Sequence, residues 1–312
     1  MKNYISVIMP TYNKETRLML ALKSLENQDF PLDQWELVLV DDGSKKNTKE
    51  MVDKLNLKIN YKYIFQDNSG RSVARNKGIA NSKGNILVFM DDDLIASPQF
   101  LTNHAMLHIS HEYDNLIVHG AIYEITYSKF FEDPINGVLY SEYGEYENKV
   151  PKLEEKCNKI LSFKEDFALF SRYFSKKTRF ERGVEYELTL PQNRQAVPWI
   201  GFNGGNVSVA RCIVEKAGCF DEKLGKKWGA EDIELGFRIN ELDVLWMYSN
   251  AACNYHISHY RKNVFEVGKE SHEYCKKKHP TIAMEYLWNF LTDELSISEF
   301  NDIVKNKEDY NE

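Results

Sequence analysis

The sequence predicts an α/β fold built on a mostly parallel sheet, and three observations carry that reading. Apolar, β-branched runs recur at residues 4–10 (YISVIMP), 35–40 (WELVLV), 61–65 (YKYIF) and 85–90 (NILVFM). Segments of helical spacing alternate with them, the first marked by Leu18, Leu22 and Leu25. Most of the runs are continuously apolar rather than alternating, as expected of strands covered by helices on both faces.

Each element follows in turn. The first strand, first helix and second strand form one βαβ unit; the third strand, a helix over about 71–82 and the fourth strand form the next. Residues 97–109 read as a helix and 115–125 as a strand. From 128 to about 195, aromatic and charged residues interleave (YSKFFEDP, YSEYGEYENK, LFSRYFSKKTRFERGVEYE). This is partly helical insertion material over the sheet, a candidate acceptor-side wall, and ordinary aromatic packing is the plainer account of the same residues. Order returns at 198–210 (PWIGFNGGNVSVA), a glycine-rich bend feeding a short strand, followed by helices at 211–218 and from Ala230 to Glu241. Short strands are expected at 244–249 and 251–256, then helices from 268 onward anchored by Tyr286, Leu287 and Phe290. Four segments result: 1–127, 128–197, 198–267 and 268–312.

Composition narrows the function. With 312 residues, 43% of them hydrophobic, the chain can bury a substantial core, which sets aside disorder and small disulfide scaffolds. Its formal charge of −7 disfavours a nucleic-acid binder but leaves room for a local anion pocket. Five cysteines at irregular spacing indicate neither a zinc knuckle nor a disulfide framework. The start, MKNYISVIMPTYN, does not read as a secretory signal, and no run approaches the ~18 apolar residues of a membrane span. These features predict a cytoplasmic protein, at most peripheral at the inner face of the membrane. The Asn206-Val207-Ser208 glycosylation pattern carries little weight there.

Chemistry concentrates at the strand ends, where ligands of such sheets gather. The first strand runs into PTYNKE without a GxGxxG fingerprint, and no GxxxxGK[ST] loop occurs, so any nucleotide site must be built with side chains. Asp91-Asp92-Asp93 follows the fourth strand; three adjacent carboxylates invite a hard divalent cation, although a helix cap or solvent turn is the competing account. Asp41 and Asp42 close the second strand, fit either for a base or ribose hydrogen bond or for the turn with Gly43 and Ser44. Arg71 and Arg75 share a helical face, and Arg75 is placed to reach a phosphate or a salt bridge. Glu231 and Asp232, after Trp228-Gly229-Ala230, offer a general base or simply an acidic first helical turn. His256 and His259 are candidate imidazole ligands, suiting Mn²⁺ better than Mg²⁺. His104, His108 and His111 share a helix, but a zinc site there lacks other ligands.

In this order, strand–PTYN, strand–DDGS, SVARNKG, strand–DDD, GGN and WGAED closely resemble the inverting family 2 glycosyltransferases of GT-A fold, over roughly residues 4–256. The second half resembles the galactosyltransferase-type carboxyl segment of animal and bacterial relatives. The resemblance implies a Rossmann-like central sheet flanked by helices, an inserted acceptor-side region and C-terminal helices. It implies a UDP-sugar donor, Mn²⁺ or Mg²⁺, and an acceptor that is a saccharide, lipid carrier, peptide or small metabolite. Carried over by position, Pro10, Thr11 and Tyr12 border the nucleobase, Asp41 holds the uracil or ribose edge, and Arg75 sits near the nucleotide. Asp91 contacts ribose or sugar, Asp92 fills the variable middle position, and Asp93 ligates the metal with His256, His259 being its rival. Gly204, Gly205 and Asn206 approach the donor sugar, and Trp228 packs against a sugar face. Asp232 is the expected base, with Glu231 orienting hydroxyls. The Gln-x-x-Arg-Trp pattern of processive membrane synthases is absent, which implies single, non-processive transfer, with a homo-oligomer allowed. Two other functions compete, a nucleotidyltransferase and a non-catalytic sugar-binding or scaffold protein.

Overall fold

The computed structural model describes residues 4–45, 47–111, 115–125, 128–143, 175–226, 229–260 and 263–308. β1 (Ile5–Thr11) is buried along its whole length and feeds two cores. Ile5, Val7 and Met9 enter one, against Leu18, Leu22 and Leu25 of α1 (Glu15–Glu26); Ile8 enters the other. β2 (Trp35–Asp41) divides in the same way, with Leu37 and Leu39 on the first side and Val38 and Val40 on the second. A period of two with both faces covered produces the continuous apolar runs of the sequence. α2 (Thr48–Leu55), capped by Asn47, adds Val52 to the first core. β3 (Tyr61–Phe65) is the outer strand, and α3 (Arg71–Ala80) packs Ala74 and Ile79 on the second core. With β4 (Ile86–Phe89), the order β3-β2-β1-β4 is wholly parallel.

Past β4 the sheet departs from the mostly parallel expectation. β5 (Leu94–Ala96) and α4 (Phe100–Ser110) precede β6 (Leu116–Ile125), and a small hairpin joins β7 (Phe131–Asp133) to β8 (Val138–Leu139). β9 (Ser175–Lys176) adds to β6, and α5 (Arg179–Thr189) leads toward β10 (Val207–Ala210). β10 lies antiparallel between β4 and β6, while β11 (Leu245–His256) is parallel to β6 and antiparallel to β5. The chain reaches β10 after the long 126–206 excursion instead of a short helical crossover, so the parallel constraint lapses. The two short strands expected at 244–256 are one strand, because a register shift between Ser249 and Asn254 absorbs the irregularity. β5 carries no sequence signal, since three residues are too few to show a period. α6 (Arg211–Lys216) and α7 (Glu231–Asn240) cover the second core, and α8 (Val264–Lys278), α9 (Ile282–Leu291) and α10 (Ile297–Glu308) close it through Cys275, Leu287, Phe290 and Phe300. Among the described residues no helix is long and apolar enough to cross a membrane.

The histidines of α4 have a structural use. His104 joins Ser208 Oγ through Nδ1 (2.8 Å) and Asn206 Oδ1 through Nε2 (2.9 Å), and His108 Nε2 also meets Ser208 Oγ (2.9 Å). Burial pushes His104 down to about 3 and His108 to about 4. Unfolded imidazoles take up protons near pH 6.5, whereas folded His104 resists until about 3. Its contribution to stability is therefore complete above pH 6.5 and is lost as pH falls. His104→Gln is expected to flatten the pH dependence of the urea midpoint between pH 7 and 4, removing about 1 kcal/mol of slope per pH unit; an unchanged slope would contradict this role.

Candidate active site

Among the described residues three cavities open at the carboxyl ends of the parallel strands, one of about 350 Å³ beside Asp41, Tyr63 and Phe65 at the sheet edge and two nearer its centre. The first of these two, about 320 Å³, is lined by Pro10, Thr11 and Tyr12 from β1, Asp42 beyond β2, and Asp91 and Asp92 beyond β4. Gly70 and Gly225 form part of its wall, and their backbones pack so closely that a Cβ on Gly70 would lie 1.9 Å from the Gly225 carbonyl carbon. With φ at +98° as well, this N-cap of α3 requires glycine. The second cavity, about 440 Å³, is lined by Asp93, Glu124, Gly205, Glu231, Asp232 and His256 and by residues of the C-terminal helices. Arg71 and Asp91 belong to both, so the cavities meet there.

Asp93 owes its neighbours to the sheet. β5 pairs antiparallel with the end of β11, setting His256 opposite Leu94, and the Ile257 amide donates to the Asp93 carbonyl (2.8 Å). Asp93 Oδ2 thereby faces Lys14 Nζ at 2.7 Å, His259 Nε2 at 3.3 Å and His256 Nε2 at 3.4 Å. Burial works against charge on Asp93, but Lys14 and the imidazoles outweigh it and hold the carboxyl well below the usual range. Asp92 accepts from Thr11 Oγ1 (2.7 Å) and Lys14 Nζ (3.1 Å), yet burial raises its pKa, with Asp93 adding to the rise. His256 also meets Glu124 through Nδ1 at 2.7 Å; burial opposes its charge, but the two carboxylates raise it to about 10.

The WGAED turn is held from the other side. Arg75, 1% exposed, splits its guanidinium between Glu231 (3.0 Å) and Asp91 (2.8 Å), and Arg71 adds a second ion pair to Glu231 (3.1 Å). Asp232 makes no ion pair among the described residues. Its Oδ2 accepts the Gly204 amide (3.1 Å) and its Oδ1 the Ile233 amide (2.9 Å). Burial and the adjacent Glu231 raise its pKa against the pull of Arg75, so the second cavity is faced by a carboxylate of raised basicity.

The sequence profile of "Glycosyl transferase family 2" matches residues 6–179, more than half of the chain. The chain belongs to glycosyl transferase family 2. The uncharacterized glycosyltransferase YfnE of Bacillus subtilis (strain 168) is 30% identical over 265 residues, covering 81% of this chain and 64% of that protein. Validoxylamine A glucosyltransferase of Streptomyces hygroscopicus subsp. jinggangensis (strain 5008) is 27% identical over 289 residues, 91% of this chain and 63% of that protein. The chain thus spans less than two thirds of these curated relatives. Among solved structures, Staphylococcus aureus TarS 1–349 in complex with UDP-GlcNAc shares the fold with a TM-score of 0.56 at 19% identity, covering 96% of this chain and 70% of that one. The mannosyltransferase PcManGT of Pyrobaculum calidifontis, in complex with GDP-Man and Mn²⁺, gives 0.54 at 15% identity, over 97% and 68%. The fold is thus GT-A, and family 2 membership removes the nucleotidyltransferase reading.

Within this family 2 domain, several expected roles change. Asp41 lines the cavity at the sheet edge, where its carboxylate accepts the Ser44 amide (2.8 Å) and the Tyr63 hydroxyl (2.5 Å), while Asp42 lines the first cavity. Arg75 lines neither cavity, because its charge is consumed by Glu231 and Asp91. Asn206 is fully buried, its amide donating to the carbonyls of Ala121 (3.2 Å) and Ala252 (2.9 Å), so it fastens β6 to β11 instead of approaching a sugar. Gly204 serves Arg75, since a Cβ there would lie 2.3 Å from the guanidinium. Glu231 faces the second cavity with both oxygens taken by arginines, leaving it to position the turn. Gly205 does line that cavity, and Trp228 lies outside the described residues.

Three participants carried no usable signal in the sequence. Lys14 and Glu124 are ordinary charged residues until the fold brings them to Asp93 and His256. Arg17, on α1, is buried and donates to the carbonyls of Phe131 (2.7 Å), Glu132 (3.0 Å), Ile257 (3.1 Å) and Ser258 (3.3 Å), clamping the segment between His256 and His259. Arg17→Ala is expected to cost about 2–4 kcal/mol of stability and to accelerate amide exchange at Ile257. Unaltered exchange there would show that the clamp does not hold the loop.

Among the described residues, no three His, Cys, Asp or Glu side chains form a ready-made metal centre. What the fold supplies is one carboxylate, Asp93, faced by two imidazoles, with Lys14 among them. This partial donor set has the chemistry for a divalent cation that takes further ligands from elsewhere, and imidazole favours Mn²⁺ over Mg²⁺.

Proposed function

We propose that this domain is an inverting glycosyltransferase that moves a hexose or N-acetylhexosamine from a UDP-sugar to an acceptor hydroxyl. The observation that carries the reading is the junction of the two cavities at Asp91 and Arg71, with the Asp93–histidine cluster and Asp232 on the second cavity's wall. The first cavity has the floor and backbone turns for a nucleotide, bordered by Pro10, Thr11, Tyr12 and Asp42. TarS, in complex with UDP-GlcNAc, supports a uridine nucleotide. The match to E. coli chondroitin synthase, 26% identical over 259 residues, supports sugar transfer.

In this mechanism Asp232 takes the proton of the acceptor hydroxyl. The oxygen's electron pair forms a bond to the anomeric carbon from the face opposite the nucleotide, and the bond to the diphosphate oxygen breaks with its pair leaving on UDP. Configuration inverts. Asp93, His256 and His259 would hold a divalent cation, which supplies charge stabilisation to the departing diphosphate. Arg75 and Arg71 keep Glu231, and with it the first turn of α7, in register with Gly204. A non-catalytic sugar-binding role would leave the raised basicity of Asp232 without a use.

The test is UDP release by the purified protein across a panel of UDP-sugars with Mn²⁺ and with EDTA. Metal-dependent release from one donor is the expected result. No release together with no UDP-sugar binding would overturn the reading.

A further inference from the structure

The second cavity continues beyond its carboxylates onto a wall that transfer chemistry does not use. Phe180 of α5, Phe265 and His272 of α8, and Trp288 of α9 line it. Phe265 is 69% exposed, and the Trp288 ring lies 5.6 Å from the His272 imidazole, whose Nδ1 has no hydrogen-bond partner among the described residues. Aromatic faces with a few polar groups beside them match a ring that is apolar on its C–H faces and polar at its rim.

Charge selects further. Asp91, Asp93, Glu124, Glu181, Glu231 and Asp232 line this cavity against a single arginine, Arg71, which stands at the junction with the nucleotide side. Arg75, Lys14 and the imidazoles offset part of that charge, but no lysine or second arginine lines the wall among the described residues. Away from Arg71 and His256 at the transfer end of the cavity, a carboxylate or phosphate on an acceptor lying along the aromatic wall would meet no lysine or arginine among the described residues.

We propose that this wall is the acceptor subsite, and that it takes an uncharged or amine-bearing cyclic polyol, a pyranose or cyclitol, while rejecting acceptors that carry carboxylate or phosphate. The proposal rests on the sugar-transfer reading. Its test needs no donor turnover. Methyl glucoside, methyl glucosaminide and methyl glucuronide are compared by saturation-transfer NMR and competition on the full chain with UDP and Mn²⁺ present. The first two are expected to bind, with the glucuronide about tenfold weaker or worse and the gap narrowing at high salt. Phe265→Ala, a truncation of an exposed side chain, is expected to weaken glucoside binding about tenfold with a smaller change in UDP affinity. Equal binding of the glucuronide, no binding of any of the three, or an indifferent Phe265→Ala variant would overturn the proposal. UDP affinity and donor cleavage by the unaltered protein report separately on the underlying reading.

Discussion

Asp232→Asn is expected to lower sugar transfer by about 10²–10⁴-fold while leaving the protein folded. The change keeps the shape and one of the two acceptor oxygens, so one of the Gly204 and Ile233 amides loses its partner, but it breaks no ion pair among the described residues. What it removes is the proton acceptor. Burial and Glu231 raise the Asp232 pKa above the usual carboxylate value, so the unaltered enzyme should lose activity on the acid side as that group protonates. That acid limb should disappear from the residual activity of the variant. Circular dichroism with UDP binding checks the fold, and a wild-type rate with wild-type pH dependence would remove Asp232 from the chemistry.

Arg75→Met is expected to destabilise the fold by about 3 kcal/mol, since it leaves the partly exposed Asp91 without its cation and the buried Glu231 with Arg71 alone. Arg75 is 1% exposed and is the shared partner of Asp91 after β4 and Glu231 at the start of α7. Its removal separates the two halves of the site as well as lowering stability. Arg75→Lys should recover only part of the loss, because one ammonium cannot present the two-pronged geometry that now reaches both carboxylates. Urea unfolding measures the effect, and a loss under about 1 kcal/mol in Arg75→Met would show that solvent or Arg71 compensates. The two variants therefore separate chemistry from architecture within one cluster.

The glycine-rich and acidic motifs were legible as a set, while their individual duties were not. Adjacent aspartates illustrate the limit: Asp41 and Asp42 both close β2, but successive residues point in different directions, and only Asp42 reaches the first cavity. Asn206 has the same difficulty, standing in a motif that approaches the site while its own side chain turns into the sheet. Glu231 and Arg75 each read as ligand-facing groups, and their charges instead neutralise one another.

By itself the sequence determined the α/β class, the positions of the parallel strands and the order of the strand-end motifs. Each of these depends on local periodicity and on which residues stop a strand. Tertiary structure decided the antiparallel insertion of β10, the pairing of β5 with β11 that brings His256 and His259 to Asp93, the Arg17 clamp and the union of the two cavities at Asp91. Those contacts join residues up to 241 positions apart. No local pattern encodes them, because the geometry exists only once the sheet has set the spacing between its strand ends.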